Sequence, residues 1–113
     1  MVEFHRNGLV MADVVKRRPE YMDTLAAYMT ALDTANVHDA AQFQELLESG
    51  LQLMSLSNED CARKFDVSQS SVARWRKGTT KPHPVVRGIV FAELREQARL
   101  FLLLLENYGG LTK

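Results

Sequence analysis

The stretch NEDCARKFDVSQSSVARWRKG, Asn58 to Gly78, decides how the chain is read. It divides into two short helical segments, NEDCARKF and SQSSVARWRK, joined by a tight turn. Ser57 or Asn58 caps the first, and Glu59 and Asp60 occupy its opening turn, where the helix's positive end favours carboxylates. Ala62 is small enough for a second helix to cross closely, and Phe65 is a core anchor. Asp66 and Val67 make the turn, since Asp tolerates the left-handed conformation and Val67 points inward. Ser68 caps the second segment, and Gly78 stops it.

The second segment has two faces. At about 100° per residue, Val72 and Trp75 fall together and point to the core. The opposite face carries Ser70, Ala73, Arg74 and Lys77, with Gln69 at its leading edge. Ser70 and Ala73 leave clearance for a surface, while Gln69, Arg74 and Lys77 reach into it. Long and small residues alternate there.

Charge marks the same segment. The 113 residues carry 14 basic and 14 acidic side chains, which at first argues against a polyanionic partner. Residues 1–56, however, hold four basic residues against eight acidic ones, whereas 57–87 hold seven basic against three acidic. From Val67 to Pro82 there is no acidic residue at all. A polyanion feels this local charge, because exposed charges beyond a Debye length are largely screened.

Asn58–Gly78, with Lys81-Pro82 beyond it, resembles the lambda-repressor-like (Xre-type) helix-turn-helix family. Ala62, Val67-Ser68, Gln69-Ser70, Val72, Trp75, Gly78 and Pro82 carry the resemblance, and Asp66 departs from the glycine usual at the turn. It covers about 25 residues strongly and 39–95 loosely; residues 1–38 and the leucine-rich end match nothing in it. The resemblance implies that Gln69–Lys77 is a recognition helix lying in a DNA major groove. Gln69, Ser70, Ala73 and Arg74 would then face base edges, where Gln can pair with adenine and Arg with guanine. Asn58, at a helix start, would meet a phosphate, and Arg76, Lys77, Thr79, Thr80 and Lys81 would hold the backbone.

Helices flank this unit. Residues 9–18 suit a strand or a helix ending before Pro19, and we favour a helix. PEYMDTLAAYMTALDTAN, from Pro19 to Asn36, repeats Tyr21, Leu25, Tyr28 and Leu32 at helical spacing, with Met22 and Met29 widening the stripe, a packing pattern rather than a ligand pocket. A further helix starts at the cap Asp39 and buries Phe43, Leu46, Leu47, Gly50 and Met54, with Gly50 marking a close helix–helix contact. A long last helix follows Pro82 and Pro84. Its seam of Phe91, Leu94, Ala98, Phe101, Leu105 and Tyr108 repeats like a coiled coil, and Leu100 and Leu102–Leu104 lie outside it. A helix apolar on most of its circumference needs cover on several sides. We read the seam as a dimer contact covered by a second chain, with cover by the N-terminal helices as the alternative.

Other chemistries find little support. Cys61 is the only cysteine, so no intramolecular disulfide forms and a cytoplasmic location is expected. His5, His38, His83 and Cys61 lack metal-ligand spacing, and no cofactor motif appears. No nucleophile–base arrangement stands out, so an enzyme is not expected. Leu9–Val15, interrupted by Asp13, is not a signal peptide, and LFLLLL at Leu100–Leu105 is too short to cross a bilayer.

The expectation is an all-α protein: a lambda-repressor-like helix-turn-helix domain with an extra N-terminal helix and a long C-terminal helix. Residues 1–38 form the N-terminal extension, 39–95 the DNA-binding domain and 96–113 the leucine-rich helix end. The expected function is sequence-specific binding of double-stranded DNA by a transcriptional regulator, a repressor acting as a homodimer on a two-fold operator. The alternative is a protein-interaction adaptor or antitoxin-type partner using its helical surface. In a third reading, residues 1–38 bind a protein partner that modulates DNA binding.

Overall fold

The computed structural model describes residues 18–111, with side chains described for 19–107. Five helices follow one another: α1 (Arg18–Asp33), α2 (Ala40–Leu53), α3 (Asn58–Phe65), α4 (Gln69–Lys77) and α5 (Pro84–Leu111). No strand occurs among the described residues, so the fold is all-α. The helix expected over 9–18 lies outside the described residues apart from Arg18, the first residue of α1.

The starts of α2 and α3 and the end of α3 each have a local chemical cause. The Asp39 side chain accepts from the Gln42 amide and starts α2. At α3 the Ser57 hydroxyl accepts from the Asp60 amide at 3.0 Å, and the Asp60 carboxylate accepts from the Ser57 amide at 2.9 Å. This reciprocal capping box satisfies two amides that the helix start would otherwise leave open. The bond from the Ser57 amide leads in holding the Asp60 carboxyl below its ordinary pKa. Asp66 ends α3 in the left-handed conformation, at φ 57° and ψ 48°, as the sequence requires of it.

One hydrophobic core joins all five helices. Leu25, Leu47, Leu51, Cys61, Val72 and Leu94 are almost completely buried in it. Phe43 of α2 stands at the junction, 6.1 Å edge-on from the Trp75 ring of α4 and 5.7 Å from the Phe91 ring of α5. Two tyrosines fasten α1 to α2: the Tyr21 hydroxyl donates to the Leu53 carbonyl and the Tyr28 hydroxyl to the Leu46 carbonyl, each at 2.7 Å. Burial pushes the Tyr21 phenol up to about 12 and raises that of Tyr28 as well. The Tyr28 ring lies over Gly50, where an added Cβ would come within 2.0 Å of the hydroxyl oxygen. Gly50 thus marks the close contact that its place inside a helix suggests.

Helix α1 also lies along α5, and this corrects the expected dimer seam. Phe91, Leu94, Ala98 and Leu105 are buried within the single chain, and Phe101 is half-buried against the same core. The Tyr108 side chain lies outside the described residues. The N-terminal helix covers the seam because Leu25, Tyr28 and Leu32 present an apolar stripe to the same core. At the edge, the Arg95 guanidinium meets Asp33 at 2.6 Å. The apolar residues left in the open lie elsewhere on α5: Val85, Ile89, Leu100, Leu103 and Leu104. No helix among the described residues is long and apolar enough to cross a membrane.

Candidate functional site

Helix α4 is fixed at both ends and along one side. Its Ser68 cap accepts from the Ser71 amide at 3.0 Å. At the far end Gly78 adopts φ 78°, and its amide donates to the Trp75 carbonyl at 3.2 Å. The left-handed backbone favours glycine at Gly78, and an added Cβ would come within 2.7 Å of the Gln44 amide oxygen, so Gln44 would have to shift. Gln44 of α2 in turn donates to the Arg76 carbonyl at 2.9 Å, satisfying one of the carbonyls left open where α4 ends. Val72 and Trp75 bury the inner side.

The outer side keeps the composition read from the sequence. Gln69, Ser70, Arg74 and Lys77 are exposed, and Ala73 between them is half-exposed. The Arg74 guanidinium reaches the Ser71 hydroxyl at 3.4 Å, a long bond that leaves most of its donors open. Beyond the helix, Thr79, Thr80 and Lys81 are exposed, and the Thr79 hydroxyl donates to the Arg74 carbonyl at 3.3 Å.

One expected phosphate contact is spent inside the molecule. Arg76 grips Glu48 of α2 with two bonds, Nε to Oε1 at 2.6 Å and Nη2 to Oε2 at 2.9 Å. Its Nη1 donates to the Asn58 side-chain oxygen at 2.8 Å. Arg76 follows the buried Trp75 and so faces the junction of α2, α3 and α4, where it ties the three together. Asn58 joins that tie through its side-chain oxygen, not through the N–H donors that a phosphate would need. Arg87, one of the basic residues of 57–87, is buried and donates to the Val37 carbonyl at 2.7 Å. Its Nε has no hydrogen-bond partner among the described residues.

Arg63 is held by Glu59 and Asp60 on α3. Apart from the buried Arg87, the Lys and Arg residues of 57–87 without an ion pair among the described residues are therefore Lys64, Arg74, Lys77 and Lys81. All four are exposed. Sequence reading missed Glu48 and Gln44, which position α4 from 28 and 32 residues away. Neither belongs to any motif, and separation along the chain carries no sign of such a pairing.

The Glu48–Arg76 pair makes a pH test possible. The hydrogen bonds from Arg76 are the first cause holding the Glu48 carboxyl below its ordinary pKa, and Glu48 raises that of Arg76. A depressed carboxyl pKa stabilises the fold above the ordinary carboxylate range, and this contribution is lost as pH falls through the folded value. Both side chains are partly exposed, so water screens the pair and its contribution should be about 1 kcal/mol. Glu48→Gln should lower the denaturant midpoint near neutral pH, with the difference from wild type shrinking in acid. A constant difference across that range would show that Glu48 acts through packing alone.

Burial pushes the Cys61 thiol up to about 11, which leaves it a core residue. The His83 Nδ1 accepts from the Val85 amide at the start of α5. No group of three metal-ligating side chains occurs among the described residues, and His5 lies outside them. Comparison with protein-family models, with characterised proteins and with solved structures finds no match to this chain.

Proposed function

We propose that the protein is a sequence-specific DNA-binding transcriptional regulator, with α3 and α4 as a helix-turn-helix unit and α4 as its recognition helix. The carrying observation is the outer face of α4. Gln69, Ser70, Ala73 and Arg74 combine clearance with reach on a helix locked by Ser68, Val72, Trp75 and Gly78. Arg74 is the residue best suited to a guanine edge, because its planar guanidinium donates two parallel bonds. Lys77, Lys81 and Lys64 supply backbone cations, and Thr79 and Thr80 add hydroxyls beside them. Repression by occupying a promoter as a homodimer is the simplest mode of action. Two recognition helices would then read half-sites about 34 Å apart.

Selection from random duplexes, followed by the same selection with Arg74→Ala, tests this reading. The wild type should enrich one site, and the variant should lose discrimination at one base position by about 1–3 kcal/mol. Failure to bind any duplex at low salt would refute the proposal and favour protein docking on the helical surface.

A further inference from the structure

A cavity of about 220 Å³ opens where α2 and α4 meet the segment that follows α4. Phe43 and Trp75 give it aromatic walls, and Lys77, Thr80 and Lys81 line it beside them. None of its lining residues is acidic. Both lysines are exposed and have no ion pair among the described residues.

Backbone and indole donors reach the same place. Ala40 and Ala41, the first two residues of α2, line the cavity. The Asp39 side chain takes the Gln42 amide, and the Ala40 and Ala41 amides have no acceptor among the described residues. Asp39 itself is exposed and lies outside the lining. Trp75 is only 8% exposed, and its indole N–H has no hydrogen-bond partner among the described residues. That N–H is not sealed off, since Arg87 Nε is the one fully buried side-chain atom there without a partner. A largely buried donor left without an acceptor is costly, so a ligand oxygen at Trp75 would be favoured.

We propose that this cavity binds a small organic anion, a ring carboxylate about the size of benzoate, which competes with DNA for Lys77 and Lys81. The competition rests on the DNA-binding reading, whereas the binding itself does not. Two lysines, the free amides of a helix N-terminus and an indole N–H all favour a negative acceptor. The walls of Phe43 and Trp75 favour an apolar body, which a bare phosphate lacks. The volume lies below the roughly 300 Å³ at which drug-sized sites begin, so a single ring fits the space.

Trp75 is the only tryptophan, so a nitrogen-15 correlated NMR spectrum of the full chain contains a single indole N–H signal. Without DNA and at constant ionic strength, benzoate should shift that signal saturably, with half-saturation on the order of 1 mM. Benzamide keeps the ring but not the charge, and should require about tenfold more. Lys77→Met combined with Lys81→Met should weaken benzoate about tenfold, and these exposed substitutions should leave the melting temperature unchanged. Ala41→Glu removes no cation but sets a carboxylate at the rim, and should also weaken benzoate. The absence of a saturable shift, or equal half-saturation for benzamide and benzoate, would overturn the site. An equal response to inorganic phosphate would overturn the organic class of ligand. Benzoate should also lower the duplex affinity of the wild type, and unchanged affinity would overturn the competition. A chain that binds no duplex would lose the competition with the DNA reading, while the titration without DNA still decides the site.

Discussion

A Phe43→Ala variant is expected to lose about 3–5 kcal/mol of folding stability. Phe43 is 2% exposed, and its ring lies against both Trp75 and Phe91. Truncation removes the transfer energy of a whole aromatic ring and leaves a void that neighbours on three helices fill only in part. Each aromatic contact adds about 0.5–1.5 kcal/mol beyond area burial. The loss is a large share of the roughly 5–15 kcal/mol total stability of a domain, so the variant should be partly unfolded at physiological temperature. Phe43→Leu keeps most of the volume and should cost much less. Chemical denaturation monitored by Trp75 fluorescence reads both. Equal midpoints for Phe43→Ala and wild type would mean that α4 is not held through this ring.

The second large effect concerns the proposed DNA complex. Each phosphate neutralised by a cation contributes about −0.9 to the slope of log affinity against log salt. With Lys64, Lys77 and Lys81 as the backbone cations of each chain, affinity should fall about fortyfold per chain between about 50 and 200 mM salt. Two chains on one site would square that factor. Lys77→Ala should lower the slope by about one per chain, at nearly equal cost on every sequence. Arg76→Ala should behave differently. It removes the tie to Glu48 and Asn58 and so lowers stability, but leaves the slope of the folded protein unchanged. Binding titrations at several salt concentrations, with folding checked in parallel, separate these outcomes. A slope that falls in Arg76→Ala but not in Lys77→Ala would refute the assignment of the free cations.

The contrast between Lys77 and Arg76 shows where sequence reading ends. Both are basic neighbours at the end of α4, and the resemblance assigns both to the DNA backbone. Only the packing of α2 beside α4 turns one to solvent and the other to Glu48. Arg87 is similar: it adds to the basic count of its segment, but lies buried against the Val37 carbonyl.

Sequence alone determined the features governed by residues a few positions apart. The caps at Asp39 and Ser68, a cap at Ser57 or Asn58, the left-handed Asp66 and Gly78, and the inner pair Val72 and Trp75 are all of this kind. Each reflects backbone geometry or helical periodicity, and these act within about one helical turn. Gly50 was legible as well, because a glycine inside a helix carries a cost that close packing explains. The tertiary structure decided which of two apolar stripes on α5 meets α1 and which stays open, because a helix apolar around much of its circumference does not name its own partner. It also decided which cations remain free, since ion pairs such as Arg76–Glu48 and Arg95–Asp33 join residues that the chain order leaves far apart.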